Sequence, residues 1–185
     1  MLQEIIEDTI GSMDNSLVSL DAAFKKIRTG RATASLLDSI RVDYYDKLTP
    51  LSQVASISIE DAKTLAVVPW EKGVLQLIER AISESDMGLS PTTSGETVRV
   101  ILPDLTEETR RDLIKKAKSE AENAKVSIRN ARRDSNSQLK EFLKEKEISL
   151  DEERQGEEEI QKLTDLYVGK IDASFQIKEK DLLDF

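Results

Sequence analysis

All four prolines of this chain, Pro50, Pro69, Pro91 and Pro103, fall in one internal stretch, and the segments on either side have none. Proline fixes φ and lacks an amide donor, so a long helix cannot run through that stretch but can run through both flanks. The chain is therefore partitioned. In residues 1–30, Ile6, Ile10, Met13, Leu17, Leu20, Phe24 and Ile27 recur four and three apart, the seam of a helix with one buried side, and Gly30 is suited to end it. From Arg31 to Asp104 the period changes. Ile40–Tyr45, Val54–Ile59, Leu65–Val68 and Thr97–Leu102 are short runs of β-branched or aromatic residues bounded by turn formers, which predicts strands. Val74, Leu75, Leu77, Ile78, Ala81 and Ile82 give Gly73–Ser85 the pattern of one short amphipathic helix among them.

Beyond Pro103 the helical period returns. Thr106 can cap a new helix whose first turn holds Glu107 and Glu108, favoured by the positive end of the helix dipole. Ser149 and Glu152 form a capping box for a third helix, with Ile160, Leu163, Tyr167, Ile171 and Leu182 on its inner face. None of the three seams can bury itself alone. The expected fold is α+β: a three-helix bundle of residues 1–30 and 105–185, with an α+β domain of residues 31–104 inserted into it. The two crossings, near 30–35 and 102–104, would act as hinges, with Gly30, Arg31, Pro103 and Asp104 as hinge residues.

The segment 105–147 stands apart in charge. The chain of 185 residues has a net charge of −9, yet this segment holds twelve Lys/Arg against nine Asp/Glu. At about 100° per residue, Arg111, Lys115, Lys118, Lys125, Arg129, Arg132, Arg133 and Lys140 share one stripe, interrupted only by Glu122. A second stripe carries Ile114, Ala117, Ala121, Ala124, Ile128, Ala131 and Phe142, which marks the side facing other helices. A charge run is ordinarily a solvated face, but such faces mix Glu with Lys at i, i+4, whereas this one is nearly single-signed. Three of its arginines fall within five residues, and a planar guanidinium can engage phosphate bidentately. The pattern points to a polyanion, and to RNA read by shape or backbone, because no aromatic platform for stacking bases accompanies it. Lys25, Lys26, Arg28 and Arg31 form a second basic cluster, which could equally complement the C-terminus of the first helix.

The chain contains no cysteine and no histidine, which excludes a disulfide framework, a thiol nucleophile, a Cys/His zinc site and a Ser-His-Asp triad. No Gly-x-x-x-x-Gly-Lys-Ser/Thr run is present, so a GTPase or ATPase is not expected and energy would come from a partner's nucleotide. No enzymatic activity, cofactor or metal site is expected. Glu157-Glu158-Glu159 reads as a solvated face, since a hard-cation site needs ligands from several directions. One of Tyr44 and Tyr45 should face the core, and Trp70 is expected inside it. The N-terminus lacks a basic stretch followed by an apolar block, and no run approaches a membrane span, so a cytoplasmic protein is expected.

Several segments together resemble the bacterial and organellar ribosome recycling factors: Lys26-Ile27-Arg28-Thr29-Gly30-Arg31-Ala32, Tyr44-Tyr45, Val98-Arg99-Val100, Leu105-Thr106-Glu107-Glu108, Arg129-Asn130-Ala131-Arg132-Arg133-Asp134, Lys146-Glu147-Ile148-Ser149 and Gln161-Lys162-Leu163-Thr164-Asp165. The resemblance runs the full length. It implies an L-shaped protein with a long three-helix bundle and a small β/α/β domain on a flexible elbow. It further implies binding to the large subunit of the post-termination ribosome, with the bundle against 23S rRNA. Elongation factor G with GTP would then split the subunits and let mRNA and deacylated tRNA leave, the small domain and elbow meeting that translocase. By position, the family's rRNA-facing arginines correspond to Arg28, Arg31, Arg129, Arg132 and Arg133, and Arg110 to a basic position of the family. Arg111, Lys118 and Lys125 are added from the stripe. Two positions depart from the family pattern: Asp46 stands where a turn glycine is usual, and Thr109 where many relatives are basic. A satisfied three-helix bundle favours a monomer. The rival reading is a helical scaffold that binds proteins through its charged faces, and it differs in tolerating charge reversal at Arg132.

Overall fold

The computed structural model describes residues 1–184. The chain forms two compact units, one of residues 1–27 with 111–184 and the other of residues 28–110.

The first unit is built from three helices, α1 (Leu2–Lys26), α4 (Glu107–Lys144) and α5 (Leu150–Leu183), of which α4 contributes all but its first turn. Their seams meet as the period required. Met13, Leu20 and Phe24 of α1 pack with Ala117, Ala121, Ala124, Ile128 and Ala131 of α4 and with Tyr167, Ile171 and Leu182 of α5. A smaller cluster of Ile5, Leu139, Ile148 and Ile160 closes the end near the α4–α5 turn. There a Cβ on Gly156 would lie 2.7 Å from a methyl carbon of Leu2 and 2.9 Å from one of Leu139, so the helices approach closely because that side chain is absent. Three buried hydroxyls, of Thr9, Ser135 and Thr164, return their hydrogens to carbonyls one helical turn earlier or to each other, which satisfies them without water.

The capping signals are realised. Thr106 Oγ1 accepts the Thr109 amide at 3.1 Å. Ser149 Oγ accepts the Glu152 amide at 3.2 Å while Glu152 Oε2 accepts the Ser149 amide at 2.7 Å. Gly30, by contrast, does not end α1. The helix stops at Lys26, because Ile27 turns extended (φ −82°, ψ 116°) and buries its side chain in the bundle core. Its carbonyl accepts the Lys178 ammonium at 2.9 Å. Gly30 instead supplies a left-handed turn, φ 79°, three residues further on.

The second unit contains β1 (Arg41–Tyr44), β2 (Lys47–Pro50), the one-turn α2 (Leu51–Val54), β3 (Ala55–Asp61), β4 (Thr64–Pro69), α3 (Leu75–Ser83), β5 (Ser90–Ser94) and β6 (Thr97–Ile101). Strands β1 and β2 form a hairpin, and the other four an antiparallel sheet in the order β3-β4-β6-β5. Leu65, Val67, Val98 and Val100 alternate onto one face, where Ile78 and Ile82 of α3 cover them together with Leu37, Val42 and Leu51. Strands β2 and β5 were not expected from sequence. Both lie at the edge of their sheets, carry a proline and fully bury none of their residues, so neither shows a buried alternation.

Trp70 is not in the core but 66% exposed. Leu65 and Val67 point inward, so Val68 points outward, and Trp70, two residues on, follows it. Of the tyrosine pair, Tyr44 packs against the core and donates to Glu71 Oε1 at 2.7 Å, while Tyr45 is exposed. Tyr44 pairs with Lys47, so Tyr45 and Asp46 form a two-residue turn with φ of 50° and 58°. Asp tolerates that left-handed region better than most residues, which allows the hairpin to close without glycine.

Candidate nucleic-acid interface

Helix α4 runs without interruption for 38 residues, a rod of about 57 Å at 1.5 Å per residue. Its alanine stripe faces α1 and α5, which turns the basic stripe toward solvent. Lys118, Arg129, Arg133 and Lys140 are exposed along it, as is Arg111 nearer the start of the helix. Lys118, Arg133 and Lys140 make no ion pair among the described residues.

Lys125 departs from the expected open stripe. It lies at the margin next to α5, where its side chain is only 17% exposed and Nζ sits 2.6 Å from Asp172 Oδ1 and 3.5 Å from Glu122 Oε1. The hydrogen bond to Asp172 outweighs the desolvation and holds the ammonium pKa above its ordinary value, so Lys125 is a charged strut between helices and not an open cation. Glu122 is also more than a break in the stripe, because its second oxygen lies 3.9 Å from Arg129 Nη2.

Arg132, at the same margin, is held differently. Its Nη1 donates to Gln161 Oε1 of α5 at 3.0 Å, and Gln161 Nε2 donates to Asp165 Oδ1 at 2.9 Å. Neither Gln161 nor Asp165 was a candidate from sequence. Their i, i+4 spacing was visible, but their position beside Arg132 depends on the register of α5 against α4.

The remaining basic candidates do not share this helix face. Arg28, Arg31 and Arg110 belong to the second unit. Arg28 donates from Nη1 to the Met87 carbonyl, which fixes its guanidinium against the loop after α3. Arg31 is exposed and Arg110 half-buried. Of the other proposed hinge residues, Asp104 is ion-paired with Lys63, which holds its carboxyl below the usual range, and Pro103 is exposed.

The groove between α1 and α4, about 470 Å³, is open and lined largely by Ser12, Asn15, Ser19, Asn123, Ser127 and Asn130. Among the described residues no group of three or more Asp or Glu side chains is arranged to hold a metal ion, and no helix is long and apolar enough to cross a membrane. An open cationic face along a rod can lie against a large, negatively charged surface.

Comparison with known proteins narrows that class. The family profile described as ribosome recycling factor matches residues 20–183. The ribosome-recycling factor of Marinomonas sp. (strain MWYL1) is 52% identical over 184 residues, covering all of both chains. That of Alcanivorax borkumensis is 54% identical over 183 residues, 99% of each. Among solved structures, the solution structure of a ribosome recycling factor superposes with a TM-score of 0.80 at 33% identity, covering 100% of this chain and 98% of that one. A second, described as models of the T. thermophilus ribosome recycling factor and the E. coli elongation factor G bound to the E. coli post-termination complex, gives 0.68 at 39% identity over 99% of each chain. This chain belongs to the ribosome recycling factor family.

Proposed function

We propose that this chain binds the large subunit of the post-termination ribosome through 23S rRNA, and that elongation factor G, using its own GTP, then acts on it to split the subunits and release mRNA and deacylated tRNA. The observation that carries the reading is the group Arg129 and Arg133 on the outer face of an unbroken helix with Arg132 at its margin, in a chain that matches its relatives from end to end. Guanidinium forks there can take phosphate oxygens bidentately, and Lys118 and Arg111 extend the line of charge. The relative bound beside elongation factor G on a post-termination complex supports the choice of partners. Lys125, already neutralised by Asp172, contributes to the rigidity of the rod and not to phosphate binding. Arg28, clamped to Met87, and Arg31 and Arg110 would make their contacts from the second unit.

Mechanically, the bundle serves as a stiff lever: arginines fix it on RNA, and a push delivered through the second unit displaces bridges between the subunits. Movement between the units would use the Gly30–Arg31 and Pro103–Asp104 segments. The protein works as a cytoplasmic monomer. The test is subunit splitting, with elongation factor G and GTP, resolved by sedimentation, comparing wild type with an Arg132→Glu variant whose fold is verified by circular dichroism. Wild type should split ribosomes and the variant should neither bind nor split them. Undiminished ribosome affinity in the charge-reversed variant would favour a protein-binding scaffold instead.

A further inference from the structure

Two cations on α4 meet α5 in different ways. Lys125 touches a carboxylate directly, Asp172 at 2.6 Å. Arg132 touches an amide, Gln161 Oε1 at 3.0 Å, and the carboxylate, Asp165, stands one hydrogen bond further away at 2.9 Å from Gln161 Nε2. The chemistry of the chain permits only this polarity. Guanidinium can only donate, so the Gln161 oxygen faces Arg132, and the amide nitrogen, left as the donor, meets the Asp165 carboxyl four residues on. The amide is thus locked at both ends.

We infer that Gln161 and Asp165 are positioning residues for rRNA binding: a neutral spacer and its anchor that hold the Arg132 fork in one orientation without neutralising its charge. The inference rests on the RNA-facing reading of Arg132 above. Free arginine loses rotamer freedom when it grips a phosphate, and a side chain already fixed at one nitrogen loses less. Because Nη1 is turned toward α5, the guanidinium retains Nη2 and its remaining donors for a phosphate oxygen. A carboxylate in place of Gln161 would fix the arginine equally well but would cancel the charge the phosphate needs, as Asp172 does for Lys125. The contact with the arginine and the negative charge are therefore divided between two residues, Gln161 and Asp165, one helical turn apart.

A double-mutant cycle on binding to isolated large subunits tests this, with thermal stability checked for each variant. Gln161→Ala should weaken binding about 2- to 10-fold, the range expected for freeing one rotamer-rich side chain, and leave the salt dependence unchanged. Gln161→Glu should weaken it further and reduce the slope of log affinity against log salt by about one, the equivalent of one lost phosphate contact. In an Arg132→Ala background neither substitution should act through positioning, so Gln161→Ala should have no further effect. Equal losses from Gln161→Ala in both backgrounds would overturn the positioning role while leaving RNA binding intact. If Arg132→Ala alone leaves affinity and salt slope unchanged, the RNA-facing reading of Arg132 fails, and this inference with it.

Discussion

The two units have separate cores, so a cavity cut in one should destabilise that one alone. Ile128 is fully buried on α4 at the centre of the bundle cluster, and Ile78 is fully buried under the sheet of the second unit. Ile128→Ala removes three carbons, about 2.4 kcal/mol of transfer free energy, and the void adds to this, giving roughly 3 kcal/mol. For a unit of roughly 100 residues that lowers the melting temperature by about 12 to 24 °C. The assay follows two signals in one sample. Far-ultraviolet circular dichroism is dominated by α1, α4 and α5, while Trp70, the sole tryptophan, reports from the end of β4 in the other unit. Ile128→Ala should move the dichroism transition and leave that of Trp70 in place, and Ile78→Ala should do the reverse. Transitions that shift together by the same amount in both variants would show that the cores unfold as one, and a shift below about 5 °C in either would refute close packing at that site.

Three further outcomes follow from individual contacts. Asp172→Asn removes the charge that neutralises Lys125, which should lower stability by about 0.5 to 1 kcal/mol yet steepen the salt dependence of ribosome binding by about one unit; an unchanged slope would mean Lys125 does not reach RNA even when released. Tyr167 is buried and donates to Asp14 of α1, and burial, then the Asp14 carboxylate, pushes its pKa up to about 12. Since the folded value is raised, the contribution is complete below pH 10 and is lost as pH rises from 10 through about 12, on the order of 2 kcal/mol. In an ultraviolet phenolate titration, Tyr167→Phe should delete a late step and Asp14→Asn should move it to lower pH, whereas a step insensitive to Asp14→Asn would remove the carboxylate as a cause. Asp46→Gly relieves a left-handed residue in the β1–β2 turn and should raise the Trp70-detected transition by about 4 to 8 °C, corresponding to about 1 kcal/mol; a lowered transition would refute strain at that turn.

The bundle was legible in the sequence because its signals are local and repeated. Seam spacing, the Thr106 and Ser149 caps and the proline-free flanks each report on residues within one or two turns, and the helices follow them. The arginine cluster was legible for the same reason, since residues 129, 132 and 133 share a helix face whatever surrounds it. Edge strands β2 and β5 were not, because a strand that fully buries none of its residues has no apolar period to read. Trp70 lies outside the core because the alternation of β4, set by the inward Leu65 and Val67, carries it with Val68 to the solvent side.

What tertiary structure alone decided is which charges on α4 are available. Composition makes Lys125 and Arg132 equivalent members of one stripe, and both sit at its edge. The register of α5 sets Asp172 beside the first and Gln161 beside the second, so one cation meets a carboxylate and the other a neutral amide. That register is fixed by packing such as the contact of Gly156 with Leu139 and Leu2, residues far apart in the chain. Spacing along one helix fixes which residues share a face. It holds no information about what a neighbouring helix brings to meet them, because that depends on the close packing of side chains that no local period encodes.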